Sequence, residues 1–291
     1  MEDSFAERAD DHHAISRNTK SFINLVSEMT KPGSRRSLSR SLDKFETINV
    51  KKLGEDIRAF FRFSNEKIVL TQEIEKIIEP KRSHSVLDVG CGEGYVIRKI
   101  YRKVNRCVAL DPDHEMLEIL KKHVHDNSRV VFINKKLEDF ETTERFDVTL
   151  SSHTLSFFND KQKAINRMLD YTRKDGKLII VLHCNASEQL WMLREMFHLI
   201  NRREINHIYA EALHNYLAEK GLDPKLERVE TVAVFPSLEI PLKLSYFLFR
   251  TDYNKTSSRN KLSIRRYLET KMYNHSVHIR ALHGVISLRK T

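Results

Sequence analysis

The sequence predicts an α/β fold: a seven-stranded, mostly parallel sheet with helices on both faces. N-terminal helices precede it, and a helical insertion separates its last two strands. Three observations predict this. Short apolar runs alternate with helix-patterned segments between residues 85 and 183. Those runs are apolar at nearly every position, as strands covered on both faces are. Two later strand patterns, 225–235 and 276–290, bracket a mostly helical stretch.

Residues 1–48 read as a separate N-terminal part. "HHAISRNTKSFINLVSEM" has helical spacing, with Ile15, Phe22, Ile23, Val26 and Met29 on one face. "TKPGSRRSLSRSLDKFET" follows, and its Pro-Gly and Ser/Arg repetition predicts a mobile basic segment. Residues 49–291 form the main domain. It opens with helices over 53–79, "LGEDIRAFFRF" and then "NEKIVLTQEIEKII", stopped by Pro80.

The core spans 80–185. Strand "SVLDVG" (85–90) leads to a helix from Tyr95 to Val104, and "RCVALD" (106–111) to a helix from His114 to His125. Strands "RVVFIN" (129–134) and "FDVTLSS" (146–152) come next. A helix from Lys161 to Thr172 then precedes the very apolar "GKLIIVLH" (176–183). In the region 186–275, "SEQLWMLREMFHLI" and "INHIYAEALHNYLAEKG" are helical, with Gly221 as C-cap. "KLERVETVAVF" is a strand, and "SLEIPLKLSYFLFR" through "SIRRYLETKMY" is again helical. The strand "SVHIRALHGVISLRK" ends the chain. The insertion belongs at the sheet's carboxyl edge, where ligands bind in such folds.

Composition narrows the function classes. The chain has 291 residues, 40% hydrophobic, enough to bury a sizeable core. No apolar run approaches the ~20 residues that span a bilayer. The polar N-terminus does not resemble a secretory signal. Cys91, Cys107 and Cys184 are too few and too scattered for a disulfide framework or a zinc site. These features predict a reducing, cytoplasmic setting with no metal. The formal charge of +10 permits nucleic-acid binding, but the basic residues are spread along the chain and form no nucleic-acid motif. They suit a solvated surface better.

The chemistry concentrates in "SVLDVGCGEGYVIRKI", residues 85–100. A glycine-rich turn between strand and helix lets backbone approach a ligand beside free N–H groups. A pyrophosphate-binding turn wants G-x-G-x-x-G. Here Gly90, Gly92 and Gly94 are spaced one residue short of it. Asp88, two residues before the first glycine, suits a ligand with a positive amine better than a pyrophosphate. Asp111 ends the next strand, where a carboxylate can accept hydrogen bonds from a ribose.

"VLDVGCGEG", "ALDPDHEML", "FDVTLSSHTLSFFND" and "DGKLIIVLH" resemble the first, second, fourth and fifth motifs of the class I S-adenosylmethionine-dependent methyltransferases, a Rossmann-like family. The resemblance covers roughly residues 80–185 and the late strands. It implies that Gly90, Cys91, Gly92 and Gly94 line the methionine and ribose part of S-adenosylmethionine near Asp88. Asp111 would bind the ribose, Pro112 would lie beside the adenine, and Ser151 and Ser152 would line the sulfonium region. The family's adenine-reading acid has no equivalent in "NKKLEDF": Lys136 stands in its place, Glu138 and Asp139 fall further on, and a backbone contact at Leu137 is what remains.

For the methyl acceptor, "SSHTLSFF" lacks the prolines of base-modifying enzymes and is similar to small-molecule methyltransferases. The element order resembles histamine N-methyltransferase and its relatives. That resemblance implies that Glu66, in "FSNEKIVLTQEIEKII", contacts the acceptor. His283 in "RALHGVISL" falls near the place of a substrate-binding asparagine. His183 and His153, both at strand ends, are candidate catalytic bases. Glu66 can equally be an exposed acid favoured by a helix dipole, and His153 a hydrogen-bonded strand-end histidine. Tyr246, Phe247, Phe249 and Tyr253 either wall the acceptor pocket or pack. The expected reaction is methyl transfer to a small molecule at an amine or imidazole nitrogen. An RNA or protein acceptor, or a non-catalytic binding role, is the alternative. The oligomeric state has no signature in the sequence.

Overall fold

Five strands form a parallel core: β1 (Ser85–Val89), β2 (Arg106–Leu110), β3 (Val130–Ile133), β4 (Phe146–Ser152) and β5 (Thr172–His183). The late strands are β6 (Pro224–Phe235), the two-residue β7 (Met272–Tyr273) and β8 (Ser276–Arg289). The sheet runs β3-β2-β1-β4-β5-β8-β6, with β7 paired to β8. Only β8 opposes the rest, antiparallel to β5, β6 and β7. The expected seven strands and mostly parallel order are present, and β7 is a short addition. The computed structural model describes residues 50–125, 127–201, 208–250 and 253–291. The expected N-terminal helix and mobile basic segment of residues 1–48 lie outside these.

The apolar runs reflect two-sided burial. β1 is buried at all five positions. Val86, Cys107, Ala109, Val148, Leu150, Ile179 and Val181 share one face with Leu70, Ile74 and Ile78 of α2 (Glu66–Ile78). That face also holds Ile97 and Ile100 of α3 (Tyr95–Ile100) and Leu117 and Leu120 of α4 (His114–His123). On the other face, Leu87, Val89, Val108, Leu110, Ile180 and Leu182 meet Ile165 and Met168 of α5 (Lys161–Tyr171) and Leu213 and Leu217 of α7 (Ala210–Glu219). Alternation along each strand assigns successive residues to opposite layers. α3 ends earlier than its spacing predicts because the Asn105 and Arg106 amides bond the His84 carbonyl and draw the chain into β2. Gly221, at φ 78°, lies one residue beyond the C-cap of α7.

A third cluster lies at the carboxyl edge. β5 ends at His183, opposite His283, so residues 276–282 of β8 run on past it and pair with β6 and β7. Around this extension pack Phe60 of α1 (Val50–Phe61) and Met192 and Met196 of α6 (Glu188–Asn201). Leu242 of α8 (Glu239–Lys243), Phe249 of α9 (Ser245–Phe249), and Ile264 and Leu268 of α10 (Ser258–Glu269) complete it. The α1–α2 link adds to the free edge of β6. Val234 N–H donates to the Phe63 carbonyl at 2.8 Å, and Asn65 N–H donates to the Val232 carbonyl at 3.1 Å. Asn65 Oδ1 accepts from Val232 N–H at 2.9 Å, so this residue docks α2 rather than capping it.

α7 lies directly on β8. A Cβ at Gly284 would come within 2.2 Å of Ala210 Cβ and 2.8 Å of Leu226 Cδ1. Gly284→Ala should therefore overpack this contact and cost about 1–3 kcal/mol, read from denaturant midpoints at unchanged m-value.

Candidate active site

The turn after β1 is built for close approach. Gly90, Gly92 and Gly94 all have positive φ. Gly90 and Gly94 face protein: an added Cβ would meet Thr154 Cγ2 at 2.2 Å and Leu120 Cδ1 at 2.3 Å. Around a Cβ at Gly92 there is nothing within 4 Å. Two of the glycines thus let the turn lie flat on its neighbours, while the third faces open space. The Gly90 and Cys91 amides donate to the Leu110 carbonyl at 2.7 and 3.2 Å, tying the turn to β2.

Asp111 joins the two strand ends. Its Oδ2 accepts from Gly92 N–H and its Oδ1 from Asp113 N–H, each at 2.8 Å. A carboxylate offers about four lone-pair sites, so both oxygens keep capacity for a ligand's hydroxyls. Burial raises its pKa, with the two amide bonds opposing. Asn134 Nδ2 donates to the carbonyls of Asp111 and Pro112, holding that corner. Asp88 is 3% exposed, and no group among the described residues hydrogen-bonds its carboxylate. Burial, then repulsion from Asp111, pushes it up to about 7, with Lys67 acting against them. A buried acid without a counter-charge beside an open glycine fits a cationic ligand group, and a diol beside Asp111 fits the same cleft. These residues suit S-adenosylmethionine, with its amine and its ribose.

The second centre adjoins the first. Thr154, the residue under Gly90, also donates from Oγ1 to the Val89 carbonyl at 3.1 Å. His153 precedes it in the chain, at φ 57°, with its amide on the Val181 carbonyl at 2.9 Å. Antiparallel pairing sets His183 opposite His283. The rings of His153, His183 and His283 have centroid separations of 4.7, 4.9 and 5.0 Å. His283 Nδ1 is 3.1 Å from His153 Nε2, and His283 Nε2 is 2.8 Å from Thr231 Oγ1. His183 Nδ1 is 3.4 Å from Ser187 Oγ. Glu66, on the first turn of α2, is only 4% exposed. Its carboxylate oxygens lie 3.9 Å from His153 Nε2 and 3.8 Å from His283 Nε2. The α1–α2 link on β6 puts it there. The alternative of an exposed helix-dipole acid is excluded by its burial.

Burial keeps the three imidazoles neutral at pH 7. It pushes His183 down to about 4 and His283 to about 2, and His153 well below its usual range. Burial also raises Glu66, which Lys67 partly opposes. No lysine or arginine among the described residues forms an ion pair with Glu66. The Lys67 ammonium instead sits 4.2 Å from the Phe61 ring centroid.

Four residues expected separately at the acceptor side, Glu66, His153, His183 and His283, therefore meet. Thr231 and Ser187, which hold two of the rings, had no signal in the sequence beyond their residue type. Ser151 is fully buried with its hydroxyl on Thr154, whereas Ser152 is partly exposed. Leu137 has its side chain in the core, and Pro112, Lys136, Glu138 and Asp139 are exposed. Of the aromatic group, Phe249 is fully buried and the Phe247 ring meets that of Phe60 at 4.9 Å and a 57° tilt, so both pack. Tyr253 is partly buried. The side chain of Tyr246 lies outside the described residues.

Residues 87–180 match the family described as "Methyltransferase domain", and the strand order and glycine turn agree with the fold of class I S-adenosylmethionine-dependent methyltransferases. Those residues carry the methyltransferase domain. It is 24% identical over 147 residues to the uncharacterized methyltransferase YcgJ of Bacillus subtilis, covering 49% of this chain and 57% of that protein. It is 28% identical over 103 residues to a malonyl-[acyl-carrier protein] O-methyltransferase of Acetivibrio thermocellus, covering 35% and 36%. The chain thus spans about a third to about half the length of these curated relatives. The crystal structure of YcgJ superposes with a TM-score of 0.57 at 15% identity, over 76% of this chain and 97% of that one. A Thermotoga maritima S-adenosylmethionine-dependent methyltransferase, described as a possible histamine N-methyltransferase, gives 0.50 at 15% identity, over 82% and 95%. Both likenesses establish the fold. No helix among the described residues is long and apolar enough to cross a membrane.

Two predictions follow from the cleft. Gly92→Val should abolish S-adenosylmethionine binding in calorimetry while most of the fold persists, because its side chain enters open space from a left-handed backbone. Gly94→Ala should instead lower the melting temperature, since it strikes Leu120. The second concerns Asp88. Its folded pKa is about 7, above the ~3.9 of an unfolded chain. The native state therefore binds the proton more tightly, and the stability this contributes is complete below pH ~4 and lost as pH rises through 7. In the cofactor-free protein, Asp88→Asn should gain on wild type by on the order of 3 kcal/mol between pH 4 and 8. Parallel stability–pH curves would show that Asp88 carries no such shift.

Proposed function

We propose that this protein transfers a methyl group from S-adenosylmethionine to a basic nitrogen of a small molecule, an amine or imidazole. The observation that carries the reading is the convergence of Glu66, His153, His183 and His283 beside the glycine turn. In this reading Asp88 receives the cofactor's amine and Asp111 its ribose hydroxyls. Gly92 and Cys91 give backbone contact, Pro112 and the Leu137 backbone border the adenine, and Ser152 flanks the sulfonium. S-adenosylmethionine, when bound, supplies an electrophilic methyl group on its sulfonium.

The chain's own groups serve the acceptor. A nitrogen must lose its proton before it can attack. Neutral imidazoles at His153 and His183 can accept that proton, and the Glu66 carboxylate, with no lysine or arginine paired to it, favours a cationic or protonatable acceptor over a neutral phenol. The buried edge around the third apolar cluster excludes water, which strengthens each electrostatic contact. Proximity and orientation supply most of the remaining rate.

A transfer assay with labelled S-adenosylmethionine across amines, imidazoles, phenols, peptides and RNA tests this. Label should pass to a small nitrogen acceptor. Glu66→Gln should raise the KM for that acceptor about tenfold and leave cofactor affinity unchanged. Transfer confined to RNA or peptide would overturn the acceptor class, and failure to bind S-adenosylmethionine would overturn the reaction.

A further inference from the structure

Three imidazoles brought together from two strands and the turn after a third form a donor set, with a buried carboxylate beside them. One ring nitrogen from each of His153, His183 and His283 lies within 4.8 Å of the others. The two hydroxyls decide which nitrogens face inward. Ser187 engages His183 Nδ1 and Thr231 engages His283 Nε2, leaving Nε2 of His183 and Nδ1 of His283 for the centre. His283 Nδ1 and His153 Nε2 are already 3.1 Å apart. Zinc–nitrogen bonds of about 2.0–2.1 Å place tetrahedral donors about 3.3 Å from one another. The widest separation therefore closes with shifts of under about 1 Å per ring.

We propose that His153, His183 and His283 bind a divalent transition-metal cation, with Zn2+ the best match and the Glu66 carboxylate close by. Imidazole nitrogen selects zinc over magnesium or calcium, which favour all-oxygen shells. Metal-bound histidines usually donate their outer N–H to a fixed acceptor, and here Thr231 and Ser187 hold those outer nitrogens. The cation also supplies the counter-charge that Glu66 lacks. A metal site has no cysteine and no sequence spacing to announce it here, so the expectation of no metal rested on cysteines alone. The inference stands on the geometry of these three rings, not on the proposed methyl transfer, and three protein ligands leave one position open. With a cation in place, the acceptor's heteroatom would meet the metal in place of an imidazole.

Chelator-treated full-length protein should take up one Zn2+ per chain in a competition titration with a chromophoric chelator. Co2+ in its place should give the intense visible absorption of a tetrahedral, nitrogen-rich site. His153→Asn, which retains a residue type that tolerates left-handed backbone, should lower Zn2+ affinity by about 100-fold or more. Thr231→Val should lower it about 10–100-fold. S-adenosylmethionine binding by each variant reports that its fold is intact. A wild-type Co2+ spectrum that is weak and octahedral, or Zn2+ affinity unchanged in both variants, would overturn the site. The wild-type spectrum decides even if a variant does not fold. If methyl transfer proceeds in metal-free protein that binds no Zn2+, this inference falls and the proposed function stands. If Zn2+ binds and no acceptor is methylated, the reverse holds.

Discussion

The pairing register of β8 against β5 is the constraint on which the site depends. His183 and His283 face each other because these two strands run antiparallel in one alignment. A slip of one residue would send every side chain of β8 to the opposite face. His283 would then leave the cluster, and Val285 and Ile286 would exchange layers. The register is fixed by burial on both sides, since Val285 belongs to one apolar layer and Ile286 and Leu288 to the other. Gly284 reinforces it, admitting α7 where any side chain would collide. The apolar core thus sets the position of a polar group at its edge, and the polar group need not stabilise the fold.

Two buried carboxylates give this edge its electrostatic character. Asp88 and Glu66 are almost fully enclosed, and neither has a salt-bridged lysine or arginine among the described residues. Burying an acid without a partner is costly, so such a group stays protonated or waits for a cation. Lys67 acts on both at a distance while its ammonium lies against the Phe61 ring. The same residue therefore tempers two acids and neutralises neither. Each acid fits a cationic ligand group on its own side of the cleft, Asp88 behind the glycine turn and Glu66 at the head of α2.

The core was legible in the sequence because its signals are local. β1, β2, β3 and the second half of β5 are short, mostly apolar runs, and the glycine turn is a contiguous motif bounded by strand and helix. The division of labour among the glycines was not legible, because it depends on Thr154 and Leu120, distant in sequence. The acceptor side was legible residue by residue and opaque as a constellation. Glu66, His153, His183 and His283 lie in four separate segments with no common spacing, and only strand order and register bring them together. Glu66 reads as a surface acid until Phe63 and Asn65 are seen to dock on β6 and carry it inward. For Phe247 and Phe249 the sequence left walling the acceptor and packing both open, and the structure packs both in the third apolar cluster.

The insertion's main physical effect is to extend the sheet beyond the parallel strands. An open α/β sheet leaves its carboxyl edge to solvent, where loops must build any site. Here β6 and β8 run past the end of β5, and α1, α6, α8, α9 and α10 close an apolar layer around them. His283 and Thr231 therefore stand on regular strands within a ladder instead of on loops. Rigid elements hold side chains more closely than loops do. That rigidity holds the rings of His183 and His283 side by side. It also explains why burial can push three imidazoles below their ordinary range without disordering them: each ring's backbone is fixed by a strand or by a strand-end hydrogen bond, and two of the rings keep a hydroxyl on their outer nitrogen.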